Sequence, residues 1–355
     1  MHPQVKNRLF TAAILEEQNK PFTIRKLEIP ETLSCGQVLV RIKSSGICAA
    51  QLNEQSGVKG PDKYLPHCVG HEGGGTVRAT GPGVRHVRIG DHVVVHWRKG
   101  AAGIEAEYPR YWCPELHCYV GGGANTTWQE FSVIAENRLT KISKDVPFDA
   151  AALLGCAVTT GLGVTANDLN IKAGQSIIVF GCGGVGLNVL QGAMLASAYP
   201  IIGVDITEEK LQQAIVFGAT QGLNSRNNTP ADLIKLLSAH TGGADYVVDT
   251  TGRPEIMELA WKVAGPSGKV CYVAQLRHDS TVPLQTLPMQ QGRTLVGSDG
   301  GGTNPTVDIP RYLKLYKAGR LNLRGLISHV TTLGDINSTL DLIRAGKASR
   351  CIIDL

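Results

Sequence analysis

The stretch that most limits what this chain can become is Ser176-Ile-Ile-Val-Phe-Gly-Cys-Gly-Gly-Val-Gly186. Four apolar residues, Ile177 to Phe180, run straight into glycines at 181, 183, 184 and 186. Val185, Val189, Leu190, Ala193 and Met194 follow at helical spacing, and a second apolar run, Ile201 to Val204, ends on Asp205. Strand, tight turn, helix and strand are the context in which G-x-G-x-x-G binds a dinucleotide. Gly181 permits the turn. Gly183, with Gly184 beside it, lets backbone N–H groups approach a pyrophosphate at the positive end of the helix. Gly186 lets the helix pack close to the sheet. Asp205, 19 residues beyond Gly186, offers a carboxylate to the ribose hydroxyls. A carboxylate there repels a 2′-phosphate, so NAD is favoured over NADP.

The chain is 355 residues long, enough for two domains. Its balance of 43% apolar and 18% charged residues is that of an ordinary globular protein. The net charge of +5 is spread along the chain, and its densest group, Arg85, His86 and Arg88, lacks interleaved aromatics. Nucleic-acid binding is not expected. The apolar run from Leu9 to Leu15 is short, is followed by Glu16 and Glu17, and has no cleavage site, so it does not read as a signal peptide. No run is long enough to span a membrane. A cytoplasmic location is expected. Nine scattered cysteines do not form a disulfide framework. Cys35, Cys182, Cys271 and Cys351 lie in or beside apolar segments and read as packing residues.

Residues up to about 155 are rich in short β-prone runs bounded by glycine and proline, among them 38–43, 75–79, 91–95 and 130–135, which predicts a compact barrel-like β domain. Residues 98–127 show no period and read as a long loop or lobe. From about 171 to 299, strands and helices alternate, the pattern of a doubly wound parallel sheet. The tail holds helices near 309–318 and 335–345 and a final strand at 350–354, and is expected to return to the first domain.

Three further segments carry metal-ligand chemistry. Cys48 follows the 38–43 strand, His71-Glu72 precedes the next strand, and Cys156 sits at the hinge into the dinucleotide-binding region. Two Cys and one His form a ligand set of catalytic zinc. The thiolates cancel the charge of Zn²⁺ and leave an open fourth position for a substrate oxygen.

With these motifs in view, the chain resembles the zinc-dependent medium-chain alcohol dehydrogenases over essentially its whole length. The resemblance rests on Gly46-Ile-Cys48, Gly70 to Val77 including His71-Glu72, Gly90-Asp91-His-Val93, Gly155-Cys156 with Thr159-Thr160-Gly161, Gly181 to Gly186, and Gly346 to Arg350. It implies an α/β fold: a GroES-like β-barrel catalytic domain, residues 1–155 and 300–355, plus a Rossmann doubly wound parallel sheet, residues 156–299. It implies Cys48, His71 and Cys156 as ligands of one catalytic zinc, with Glu72 nearby. Thr160 and Val185 would flank the nicotinamide ring. Asp205 and Lys210 would meet the adenosine ribose, and Arg350 the pyrophosphate. The activity implied is hydride transfer between NAD(H) and an alcohol/carbonyl pair, a polyol or cyclitol-like secondary alcohol being the expected class. A homodimer or homotetramer is also implied.

The chain departs from that family at three places. Members usually carry a hydroxyl residue two positions after the first cysteine and a histidine three positions later, which relay the substrate proton. Here these are Ala50 and Asn53. His96, after the 93–95 strand, and water are candidates to replace the relay. Gln51 stands where an acidic partner of the zinc ligands is common. The window in which relatives hold a structural zinc offers only Cys113, His117 and Cys118, with Glu115 as a further donor, and no structural zinc is expected there. The altered relay keeps two other readings open: a dehydrogenase that retains its NAD tightly, and a non-catalytic cofactor-binding sensor.

Overall fold

The structure, a computed structural model, describes residues 8–355. The N-terminal reading falls partly on residues 1–7, outside the described residues. The rest of it, Leu9–Leu15, is a buried strand. Among the described residues no helix is long and apolar enough to cross a membrane. The chain divides into two compact units, one formed by residues up to 156 together with 304–355, the other by 157–303.

The first unit is built from two sheets. One runs in the order Thr23–Glu28, Leu9–Leu15, His67–Cys68, Cys118–Gly121, Arg110–Cys113. The other runs Leu139–Ile142, His92–Val95, Gly73–Thr80, Gln37–Ile47, Cys351–Asp354, His329–Thr332, with Phe131–Ala135 also on Gln37–Ile47. Alternating apolar residues make this possible: Phe10, Ala12 and Ile14 join Leu27, Leu39 and Tyr111 in one buried cluster, and Val38, Val40 and Ile42 join Val93 and Val95 in another. The tail does return to this unit. Cys351 pairs with Ile47 in antiparallel register, which sets Arg350 beside the Cys48 end of the long strand.

The region read as an unstructured lobe contains a hairpin, Arg110–Cys113 with Cys118–Gly121. His117 takes a positive φ of 50° in its turn. Glycine and proline on both sides hid these two four-residue strands. Cys113 is buried among the apolar residues of the first sheet and lies opposite Cys118 in the hairpin register. Cys35, expected to pack, is exposed, because it sits in the turn before Gly36 rather than in a strand. Cys182, Cys271 and Cys351 are buried.

The second unit is a six-stranded parallel sheet. Its strands are β1 (Ile177–Phe180), β2 (Ile201–Asp205), β3 (Gln221–Asn224), β4 (Ala244–Asp249), β5 (Ala264–Tyr272) and β6 (Thr294–Gly297). Their order is β3-β2-β1-β4-β5-β6, all parallel. The order reverses between β1 and β4, the switch point at which such sheets bind ligands. The helices are α1 (Ala157–Gly163), α2 (Gly184–Leu195), α3 (Glu208–Val216), α4 (Pro230–Thr241) and α5 (Pro254–Val263). β1 and β2 are buried on both faces, which is why they read as unbroken apolar runs.

Candidate active site

In the second unit the glycine turn links β1 to α2. Gly181 takes φ +88°. A Cβ on Gly186 would lie 1.9 Å from the Gly181 carbonyl oxygen, so only glycine lets the first turn of α2 sit this close to β1. A Cβ on Gly183 would meet nothing within 4 Å: the N-terminus of α2 opens onto free space, as a pyrophosphate cradle requires. Asp205 ends β2 with its carboxylate oriented by backbone donors: Cys182 N–H at 2.9 Å on one oxygen, Ile206 N–H at 2.8 Å and Thr207 N–H at 3.1 Å on the other. Lys210 lies in the first turn of α3, just beyond. Thr160 lies on α1, which packs tightly on α2: a Cβ on Gly161 would come within 2.5 Å of Asn188 Cβ. Val185 is in the first turn of α2. These groups suit a dinucleotide with free ribose hydroxyls.

In the first unit Cys48, His71, Glu72 and Cys156 come together from three segments, their ligand atoms all within 4.8 Å of one another. Cys48 leaves Gln37–Ile47 and caps the helix Ala49–Gln55. His71 and Glu72 lie between His67–Cys68 and Gly73–Thr80. Cys156 follows Gly155, whose Cβ would lie 2.3 Å from Val95 O and 2.8 Å from Glu72 Cβ; glycine is what lets this segment reach the others. His71 Nε2 is 3.2 Å from Cys156 Sγ. The hydrogen bond from Cys156 holds Cys48 well below the usual thiol range, against its burial, and the same bond pushes Cys156 up. A dication held here would displace the remaining thiol proton.

The surroundings orient this set. Gln51 Oε1 accepts the Cys48 N–H at 3.1 Å, and its Nε2 is 2.5 Å from His71 Nδ1. Asn125 donates to the His71 carbonyl at 2.8 Å, tying the end of the lobe to the ligand. Glu72 is 0% exposed and forms an ion pair with Arg350. Its other oxygen, Oε1, is buried without a hydrogen-bond partner. An orphaned carboxylate oxygen beside two sulfurs and an imidazole fits a site built for Zn²⁺.

Two of the expected residues take partners inside the fold. Arg350, taken from the resemblance as a pyrophosphate contact, donates to the Ile47 carbonyl at 3.2 Å and to Glu72. Nothing in the sequence announced that pair, because its members are 278 positions apart. His96, taken as a substitute proton carrier, is 1% exposed. Its Nδ1 lies 2.7 Å from the Arg98 carbonyl and must donate to it, and its Nε2 lies 3.0 Å from Thr140 Oγ1. With both nitrogens used inside the fold, and burial pushing its pKa down to about 4, it is held neutral.

The comparisons agree with this geometry. Residues 34–144 match the alcohol dehydrogenase GroES-like domain, and residues 184–318 match the zinc-binding dehydrogenase model. The chain is 32% identical to the alcohol dehydrogenase class-3 of Cereibacter sphaeroides over 96% of its own length and 98% of that protein. It is 31% identical to the S-(hydroxymethyl)glutathione dehydrogenase of Paracoccus denitrificans, with the same coverage. Among solved structures, benzyl alcohol dehydrogenase from Acinetobacter calcoaceticus superposes with a TM-score of 0.86 at 27% identity, covering 98% of this chain and 100% of that one. Two thiolates, an imidazole, a Rossmann unit carrying Asp205 and full-length similarity thus converge on one assignment: the chain belongs to the zinc-dependent, NAD-dependent alcohol dehydrogenases of the medium-chain dehydrogenase/reductase superfamily.

Proposed function

We propose that this enzyme interconverts a hydroxyl-rich secondary alcohol, of polyol or cyclitol type, with its ketone, using NAD(H) and a proton route that differs from that of its relatives. The observation that carries the activity is the convergence of Cys48, His71 and Cys156 beside the buried Glu72–Arg350 pair. When bound, zinc supplies Lewis-acid polarisation of the substrate oxygen, and NAD supplies the hydride acceptor. In the oxidative direction an alcohol and NAD⁺ give a carbonyl, NADH and one proton.

The chain's own residues do the rest. Cys48 and Cys156, as thiolates, would offset the charge of the dication, and His71 completes the set. Gln51, being neutral, draws less charge onto His71 than a carboxylate would. Burial raises the Glu72 pKa above the ordinary carboxylate value, and the Arg350 guanidinium opposes that shift only in part. Asp205 would accept from the ribose hydroxyls. Ala50 has no exchangeable proton, so the proton released on oxidation passes to water rather than through a side chain at that position.

The substrate class rests on the lobe. Arg110 lies over the Tyr119 ring at 5.3 Å, and Trp112 meets the same ring edge-on at 5.3 Å. Exposed cation–aromatic surface of this kind suits a polar ring-shaped substrate. The test is a panel of polyols, cyclitols, benzyl alcohol and S-(hydroxymethyl)glutathione with NAD⁺. The highest kcat/KM is expected for a polyol or cyclitol; a clear preference for either of the last two would overturn the substrate class while leaving the activity intact.

A further inference from the structure

Outside the Cys48–His71–Cys156 set, the described residues gather one more group of metal-ligating side chains: Glu54, Asp62 and His67, whose ligand atoms lie within 4.8 Å of one another. None has a part in the activity derived above. The geometry points to a second divalent-cation site here, with one nitrogen and two oxygen donors, suited to Zn²⁺ and independent of the catalytic set.

Two of the three side chains are held from outside the group. His67 is 8% exposed. Its Nδ1 lies 2.8 Å from the Cys68 carbonyl and must carry the proton it donates there. Nε2 is then the inward-facing atom, 2.9 Å from Asp62 Oδ2 and 4.0 Å from Glu54 Oε1. Asp62 is held in the same manner: its Oδ1 accepts the Tyr64 N–H at 2.8 Å, which leaves Oδ2 for the centre. A backbone group outside the cluster thus occupies one atom of His67 and one of Asp62 and aims the other inward. Backbone partners of this kind orient histidine and carboxylate ligands in zinc proteins.

An imidazole nitrogen and two carboxylate oxygens this close need a positive charge among them, a proton on Nε2 or a metal cation in its place. The two separations, 2.9 and 4.0 Å, bracket the ~3.3 Å expected between tetrahedral ligands about 2.0–2.1 Å from zinc. The chain itself holds the scaffold of this group. Gly57 and Gly60, at φ +70° and +95°, turn the chain back between Glu54 and Asp62. Gln18 clamps that turn, donating to the Gly60 carbonyl and accepting the Asp62 N–H, each at 3.1 Å. Asn19 N–H reaches the Gln55 carbonyl at 2.8 Å and anchors the end of the helix that carries Glu54. All three ligands fall within a short span of sequence, so closing the chelate costs little entropy. The segment joins the helix after Cys48 to the strand before His71, so an ion here would brace both catalytic ligands' supports.

The test uses the full-length protein, stripped with a chelator, reloaded with excess zinc and freed of loose metal by gel filtration. About two zinc per chain are expected for the wild type, and about one for His67→Gln, for Glu54→Gln/Asp62→Asn and for Cys156→Ser. Cobalt separates the sites without any variant. The first equivalent should give thiolate charge-transfer absorption, and the second only the weak visible bands of a nitrogen–oxygen site. One zinc in both the wild type and His67→Gln, or a second cobalt equivalent that adds no bands, would reduce the cluster to a His67–Asp62 ion pair and overturn the site. Two zinc in both would place the second ion elsewhere and overturn it equally. The Cys156→Ser result reads the catalytic set alone, so the two sites stand or fall separately.

Discussion

Arg350 pairs its guanidinium with the Glu72 carboxylate while the two side chains are 4% and 0% exposed. The pair is assembled by the antiparallel register of Cys351 on Ile47, so the last strand of the chain completes the surroundings of the first zinc ligand. Replacing Arg350 with methionine leaves a buried carboxylate without its partner. We expect a loss of roughly 3–5 kcal/mol in urea unfolding. Arg350→Met/Glu72→Gln should recover part of it, since neither charge then remains. Equal losses in the single and double variants would show that the pair contributes only packing.

His96 makes stability depend on pH. Burial pushes its folded pKa down to about 4, below the ordinary value of 6.5. Between those values the unfolded chain binds the proton and the folded chain does not. Stability therefore rises with pH through that window and is lost on acidification, by about 3 kcal/mol in all. In His96→Gln this part of the slope should vanish. The check is a series of unfolding curves from neutral pH down to the acid limit for both proteins. Turnover per folded molecule at neutral pH should stay near the wild-type value, which a proton-relay role would not allow.

We propose that Asp205 sets the preference for NAD. Its carboxylate is already fixed by three backbone N–H groups. Asp205→Ser removes the charge that repels a 2′-phosphate and one charged hydrogen-bond acceptor. KM for NAD⁺ should rise roughly tenfold or more, by the ~1.5–3 kcal/mol of such a bond, and NADP⁺ should become usable. Steady-state kinetics with both cofactors checks this.

On the proposed reading, Ala50 and Asn53 interrupt the proton path usual in the family. Ala50→Ser/Asn53→His should raise kcat for alcohol oxidation at neutral pH by at least about tenfold, within the range that general acid–base help supplies. A rate that does not change would mean that proton release to water is not slow in this enzyme.

The Rossmann unit was legible because β1 and β2 are buried on both faces and read as unbroken apolar runs, and because the glycines have no other use at that spacing. Cys48, His71 and Cys156 were legible as chemistry, since each sits at a junction between elements, His71 and Cys156 directly after a glycine and Cys48 two residues after one. Arg350 was not, because its partner is fixed by strand register across the whole chain. The hairpin Arg110–Cys113/Cys118–Gly121 was missed because four-residue strands between glycines and prolines show no period. The partners of His96 were not legible, because a histidine at a strand end looks the same in sequence whether its nitrogens face a cleft or a carbonyl. The Glu54–Asp62–His67 group left no signal beyond three separate polar residues; only the turn at Gly57 and Gly60 brings them together.

The most direct test of the whole account is NADH formation by the protein before stripping, after removal of zinc by a chelator, and after zinc is returned, with Cys156→Ser carried in parallel. The account predicts that turnover disappears with the metal and returns with it, that NADH binding, followed by its fluorescence, survives stripping, and that Cys156→Ser holds one zinc fewer and is not restored. Full turnover in the stripped protein, or in Cys156→Ser, would contradict it.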